Sequence, residues 1–519
     1  MLSEPPTSQR YDVEPVNSKE RRQSLYAPRT KIFPKRANGR FRQFKWLVML
    51  ITLGIYYITP WLRWDRGPYA PDQAVLVDLA NRRFYFFFIE IWPQEFYYVA
   101  GLLVMAGLGL FLVTSTVGRA WCGYACPQTV WVDLFLAVEG FIEGDRNARI
   151  KLDKAPWTLG KLWKRISKHA IWILIGVATG GAWIFYFADA PSLIVDVVTL
   201  RAPLVAYVTI ALLTSTTYIF GGLMREQVCT YMCPWPRIQG AMLDEHSLTV
   251  TYNGWRGEPR SRHAKKAIAE NKPVGDCVDC NACVVVCPMG IDIRDGQQLE
   301  CITCALCIDA CDDVMDRLGK ERGLISYATL ADHEHNMALA MGTGKVVQPA
   351  RIRDRLTGKL VDTIRLTDWR SVIRPRTIVY FIGWTAIGLG MLTALALRSP
   401  LSVSVLHDRN PLFVEMRDGA VSNGYDIKVL NMTPEPRTVT LSVEGLPGAT
   451  LAVTDHPGTG PTSLELPLEP DKVMTLRAYV QVAPEALPEA QTRFIIGVAS
   501  TDGAVRTQAE TTFEVPEAK

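Results

Sequence analysis

The residues in this sequence with the plainest chemistry are its cysteines. All 12 lie between Cys122 and Cys311, and the long stretches before and after carry no thiol. Clustering of this kind argues for metal ligation rather than for a disulfide framework, whose cysteines would be spread through the chain. They fall into two sets. Eight form a doubled run, Cys277-x-x-Cys280-x-x-Cys283-x-x-x-Cys287-Pro288 and Cys301-x-x-Cys304-x-x-Cys307-x-x-x-Cys311. The other four form a repeated C-x-Y-x-C-P motif, Cys122-Gly-Tyr-Ala-Cys126-Pro127 and Cys229-Thr-Tyr-Met-Cys233-Pro234.

The doubled run has the spacing of a two-cluster bacterial ferredoxin. An x-x spacing lets a tight loop wrap three thiolates around one cubane, and the fourth cysteine of each run crosses to the other cluster. On this pattern one [4Fe-4S] cluster takes Cys277, Cys280, Cys283 and Cys311, and the second takes Cys301, Cys304, Cys307 and Cys287. Pro288 follows the fourth cysteine as expected, but Asp312 and Asp313 follow Cys311. A pair of four-cysteine zinc sites is the alternative, and the spacing suits it poorly. Two cubanes this close form a short wire for electrons from a soluble donor protein, and a wire needs a terminus.

The repeated motif offers one. Each copy lies just past an apolar stretch, so residues 44 to about 140 and 170 to about 245 read as two copies of one unit related by a pseudo-twofold axis. The thiols of Cys122, Cys126, Cys229 and Cys233 would then converge. Pro127 and Pro234 suit the first turn of a helix, whose amides favour thiolate over thiol at Cys126 and Cys233. Four soft donors, with Met224 and Met232 near them, suit Cu(I), and equally zinc or an iron-sulfur cluster. The plainer alternatives are packing cysteines at the membrane edge or one redox-active disulfide pair.

Apolar stretches must position these motifs. Five are long enough to cross a bilayer core, at about 44–62, 96–117, 170–189, 203–223 and 376–398. Lys and Arg number 11 in residues 1–45 against 4 in 63–95, and 9 in 118–169 against Arg201 alone in 190–202. This alternation places the N-terminus, the 118–169 loop and the 224–375 insert in the cytosol, and the tail after the fifth span outside it. All the cysteines then fall on the reducing side. The polar, basic start is no cleaved signal peptide, so the first span should remain as an anchor. Basic pairs such as Arg21 with Arg22 suit anionic lipid head groups. A formal net charge of +4 over 519 residues gives no nucleic-acid footprint.

The expected architecture is a multi-domain membrane protein with a five-helix transmembrane bundle, an α+β two-cluster ferredoxin insert and an all-β immunoglobulin-like sandwich. Its parts are a basic segment 1–43, a four-helix unit 44–245, the ferredoxin domain 246–375, the fifth helix 376–398 and a periplasmic domain 399–519. The tail shows short alternating runs at 425–430, 438–443, 473–482, 494–498 and 511–515 between Pro/Gly turns, the rhythm of a sandwich. There is no C-x-x-C-H haem motif, no histidine well inside a span, no Rossmann glycine fingerprint and no Walker motif. Electrons must therefore come from another protein. Glu444 to Thr450 is similar to a covalent flavin attachment signature, but Pro447 stands where the hydroxyl residue is needed. His333-Glu334-His335 could form an accessory metal site by composition, although an exposed loop with two histidines is more often only that.

This order of parts resembles the CcoG, FixG and RdxA family of bacterial cytochrome oxidase accessory proteins, over essentially the whole chain and on all 12 cysteines. Asp312 after Cys311 also looks like the family form. The resemblance implies an inner-membrane assembly factor for cbb3-type cytochrome c oxidase, with a cupric reductase activity that supplies Cu(I) for the haem-copper centre. It implies copper transporters or chaperones, the oxidase assembly machinery and a cytosolic electron donor as partners, and it allows a homodimer. Two rivals remain: a quinone-linked carrier like the NapH and NosR membrane ferredoxins, and a scaffold whose clusters sense redox state.

Overall fold

In the computed structural model the described residues are 31–343, 352–353, 360–361, 364–365, 367 and 369–516, apart from 69, 434, 455–461, 471, 489, 502 and 504. The basic segment expected over 1–43 is thus described only from residue 31. The chain forms two compact units, one from the described parts of 1–61 with 97–388, the other from 62–96 with 389 onward.

The first unit is helical, and its helices carry the cysteine motifs. Helix α1 (Arg40–Ile58) is followed by α2 (Tyr97–Val117), the short α3 (Ala120–Tyr124), α4 (Pro127–Ile142) and α5 (Arg146–Lys154). Then come α6 (Leu159–Ile184), α7 (Ala190–Val198), α8 (Leu204–Thr217) and α9 (Trp235–Met242). Between α8 and α9 the chain winds as two π-helical segments, Tyr218–Met224 and Val228–Met232, a form that appears mostly as single turns at functional sites.

Five helical stretches are long and apolar enough to span a membrane: Arg40–Trp61, Pro93–Val117, Ala120–Ile142, Leu204–Met224 and Pro375–Ala396. Four match the expected spans. The expected 170–189 is not among them, and 120–142 stands in its place. The first half of α6 carries Lys161, Lys164, Arg165 and Lys168, and the helix ends at Ile184, which leaves a short apolar part. That part packs closely on α8, where a Cβ added at Gly180 would come within 2.9 Å of the Ile210 backbone. Residues 120–142 lie in the stretch expected as the 118–169 loop, and the two carboxylates that interrupt their apolar run are buried and paired. Asp133 meets Arg42 (2.7 Å) and Lys45 (3.7 Å), and Glu139 meets Arg225 (2.9 Å), Arg149 (3.1 Å) and Lys168 (3.4 Å).

The cluster-type cysteines belong to an α+β module of the same unit. Strands Thr249–Tyr252 and Ile325–Ala328 pair antiparallel, and helices Ala282–Val285 and Leu306–Arg317 pack beside them. The module is fastened to the apolar helices by hydrogen bonds. Asp309 of helix Leu306–Arg317 caps α1, accepting from the N–H groups of Phe41 (3.2 Å) and Arg42 (2.7 Å). Only a glycine fits at position 39, because any Cβ there would overlap the Asp309 carboxyl.

The second unit holds two antiparallel sheets in the tail. One runs 449–453, 473–482, 421–431, 401–407, and the other runs 463–468, 437–444, 492–500, 506–513. Their facing residues, among them Tyr425, Ile427, Leu441, Val480 and Phe494, make one dry core. Strands 401–407, 449–453 and 463–468 escaped the sequence reading. The first follows directly on an apolar helix, and the last carries Pro467, tolerable because that strand is at a sheet edge. In the same unit Arg398 donates to the Glu90 carbonyl (2.7 Å) and so ties the tail to the small sheet of residues 75–91.

Between α9 and the ferredoxin module, Asp244 accepts from Arg374, from Arg376 (3.0 Å) and from Ser247 Oγ (2.9 Å). Burial alone would raise its pKa, but Arg374 and Ser247 outweigh that and hold it at about 2. A carboxylate depressed from about 3.9 contributes stability above that pH and loses it as pH falls towards 2. Replacing it, as Asp244→Asn, should cost about 2 kcal/mol at pH 7. Thermal unfolding in detergent should show the gap to the parent closing between about pH 4 and pH 2.

Candidate iron-sulfur and membrane-edge thiol sites

The two ferredoxin loops are built alike. In each, the residues on either side of the middle cysteine adopt left-handed backbone: Asp279 and Asn281 around Cys280, Thr303 and Ala305 around Cys304, with φ from 50° to 60°. Such conformations cost roughly 1–2 kcal/mol per non-glycine residue and persist where the surroundings enforce them. They turn three thiols to one side. Arg294 holds the first loop in this shape by donating to Asp279 (2.8 Å) and Asn281 (2.8 Å), and Tyr327 holds the second through the Thr303 carbonyl (3.1 Å). Backbone N–H groups also point at the sulfurs, those of Met289 and Ile291 at Cys287 and that of Thr303 at Cys301.

Tertiary folding brings the fourth cysteine of each run to the other loop. Cys311 lies in electrostatic contact with Cys277, Cys280 and Cys283. Cys287 shares one cavity with Cys301, Cys304 and Cys307, which Cys283 also lines. The thiols are buried, and burial first, then their neighbours, pushes them up: Cys301 to about 11, Cys287 to about 12, Cys307 and Cys311 well above the ordinary range. Raised thiols such as Cys287, Cys301, Cys307 and Cys311 ionise only against compensating positive charge. Among the described residues, no three His, Cys, Asp or Glu side chains close around a single ion. A cubane spaces its four sulfur ligands more widely than one tetrahedral zinc does, so the donor set fits two [4Fe-4S] clusters. The missing proline after Cys311 has a local reason as well. Helix Leu306–Arg317 runs on through that position, where a proline would break it, and Asp312 accepts the Gly323 N–H (3.0 Å).

The four membrane-edge thiols lie within electrostatic reach of one another, although among the described residues no three of them close around a single ion. Cys122 lies on α3, and Cys126 caps α4, with the N–H groups of Gln128 and Thr129 directed at its sulfur. Cys229 lies on the second π segment, and Cys233 follows it. The Cys229 thiol is pushed up to about 12 by burial and then by Cys126, Cys122 and Cys233. Cys122 Sγ donates to Oε1 of the fully buried Gln239 (3.0 Å). Pro127 opens α4, whereas Pro234 stands at the cap of α9. The two copies differ in backbone too, the first motif being α-helical and the second π-helical.

The first motif lies directly against the second ferredoxin loop. A Cβ added at Gly123 would come within 2.6 Å of the Ile302 carbonyl oxygen and 3.0 Å of the Cys304 backbone. Tyr124 Oη donates to the Cys304 carbonyl (3.2 Å), and Cys122 and Cys229 pack with Cys287, Cys301 and Cys304 in one apolar cluster. Gly123, Gln239 and Arg119 went unnoticed in the sequence reading. The one available signal was the glycine of the first motif, where the second has Thr230. His333 and His335 fall two apart on helix Leu330–Thr343, and they belong to no group of metal-ligating side chains among the described residues.

Apolar helices, two wrapped cysteine loops and a thiol quartet packed on one of them define a membrane iron-sulfur oxidoreductase. The family "4Fe-4S dicluster domain" matches residues 224–330, "4Fe-4S binding domain" matches 99–141, and "IG-like fold at C-terminal of FixG, putative oxidoreductase" matches 391–516. The nitrogen fixation protein FixG of Rhizobium meliloti is 64% identical over 99% of both chains. Protein RdxB of Cereibacter sphaeroides is 54% identical over 90% of this chain and 92% of its own, and protein RdxA of the same organism 51% over 88% and 90%. A crystal structure of a FixG-related protein from Vibrio parahaemolyticus is 25% identical, covering 22% of this chain and 97% of that one, with a TM-score of 0.20. The chain belongs to the FixG/RdxA family.

Two substitutions probe the geometry. Gly123→Val should displace the 301–307 loop, so that iron analysis of the purified protein drops from two clusters towards one. Cys287→Ser and Cys311→Ser should each disturb a different cluster, giving distinct residual electron paramagnetic resonance signals. Identical spectra would mean that the fourth cysteines do not cross.

Proposed function

We propose that this protein carries electrons from a soluble donor through two [4Fe-4S] clusters to Cu(II) at the membrane-edge thiols, releasing Cu(I) for assembly of a cbb3-type cytochrome c oxidase. Cys277, Cys280, Cys283 and Cys311 would hold one cluster, and Cys301, Cys304, Cys307 and Cys287 the other. When bound, the clusters supply one-electron redox chemistry. The protein's own part is to bury the sulfurs, donate backbone N–H groups to them and exclude water.

The observation that carries this reading is the backbone contact between Gly123 and the Cys304 loop, which puts the thiol quartet beside the second cluster's ligands. Cu(II) takes one electron and needs no proton. Thiolates favour the softer Cu(I), so Cys122, Cys126, Cys229 and Cys233 stabilise the product until a tighter-binding copper chaperone or transporter removes it. In this reading the ferredoxin module faces the cytosol of an inner membrane and the sandwich faces the periplasm, where it offers a docking surface to the oxidase assembly machinery.

The test is anaerobic. Protein in detergent is reduced, freed of reductant and mixed with Cu(II), while cluster reoxidation and chelated Cu(I) are followed together. Stoichiometric Cu(I) that disappears when the four cysteines become serine, with both clusters retained, is the expected result. Clusters that stay reduced with copper but reoxidise with a quinone would replace this reading with a quinone-linked carrier.

A further inference from the structure

One buried charge near the thiols has no role in the reading above. Arg119 caps α3 and is only 4% exposed. Its Nη1 donates to the carbonyl of Leu299, two residues before Cys301, and its guanidinium also reaches Cys122 Sγ. Its Nε has no partner, and among the described residues no carboxylate forms an ion pair with it. By contrast, the buried Lys45, Arg149 and Lys168 each pair with Asp133 or Glu139.

An unpaired guanidinium costs several kcal/mol to bury unless an anion compensates it. The groups that can do so here are sulfurs, because Arg119 lies in electrostatic contact with Cys301 of one site and with Cys122 and Cys229 of the other. A fixed positive charge stabilises the more negative member of any redox pair beside it. Reduction of a cluster adds one negative charge, and net charge is among the factors that set cluster potentials.

We propose that Arg119 is the electrostatic bridge between the two redox sites, holding the potential of the Cys287/Cys301/Cys304/Cys307 cluster above the value that its ligands alone would set. The charge thus favours an electron on the cluster beside the membrane-edge thiols. Arg119 acts through the sulfurs as a positioning charge. The proposal rests on cluster binding as assigned above, and it does not depend on copper being the acceptor.

The test is a redox titration of the full-length protein in detergent, followed by electron paramagnetic resonance. The two signals are assigned with Cys287→Ser and Cys311→Ser. Arg119→Gln should lower the reduced-to-oxidised ratio of the nearer cluster about tenfold at fixed potential, a shift of about 59 mV to more negative values. The far cluster should stay nearly unmoved, and Arg119→Lys should restore most of the shift. An unmoved nearer cluster, or an equal shift of both, overturns the proposal. If Arg119→Gln fails to load the nearer cluster, Arg119→Lys decides: loading at the parent potential supports a role for charge, and failure to load overturns it. Loss of Cu(II) reduction in a protein with parent potentials would count against the copper reading alone.

Discussion

Every cysteine in this protein is at least partly withdrawn from water, and a negative charge placed there is tolerated best beside a positive one. Much of the first unit answers to that constraint. The ferredoxin loops accept four left-handed residues, one of them the β-branched Thr303, so that thiols and backbone N–H groups converge on the same space. Arg294 and Tyr327 hold those loops from behind. Strain of this kind is tolerable because a bound cluster satisfies the sulfurs and the amides together.

The same constraint explains how the module is mounted. Asp309 belongs to the helix that carries Cys307 and Cys311, yet its carboxylate serves the N-terminus of α1. Gly123 and Tyr124 lock the first thiol motif onto the Cys304 loop. Cluster-binding and membrane-edge cysteines therefore share one rigid contact surface rather than being joined by a flexible tether. The second motif is less constrained, with two π-helical segments, and it carries exposed Tyr231 and Met232. That asymmetry suits a site with one face fixed to the electron source and one face open to exchange.

The second unit carries none of the 12 cysteines. The core of its sandwich consists of alternating inward residues from two sheets, and the buried Asn423 side chain both donates to and accepts from the Glu514 backbone.

Much of this was legible along the chain, because it depends on short-range periodicity. The eight-cysteine spacing, four of the five spans and the alternating strands of the tail each announce themselves within a few turns of backbone. Other features needed the fold. The Lys/Arg count placed 120–142 in a loop, whereas its Asp133 and Glu139 are neutralised by partners from α1, α5 and α6 that only folding brings together. Likewise, no local pattern marks Arg119, Gln239 or Asp309, since each hydrogen-bonds to a neighbour more than a hundred residues distant. Spacing along the chain determined which thiols could bind metal together. Tertiary packing alone decided which thiol groups lie side by side and which buried charge stands between them, because burial and proximity are properties of the folded chain.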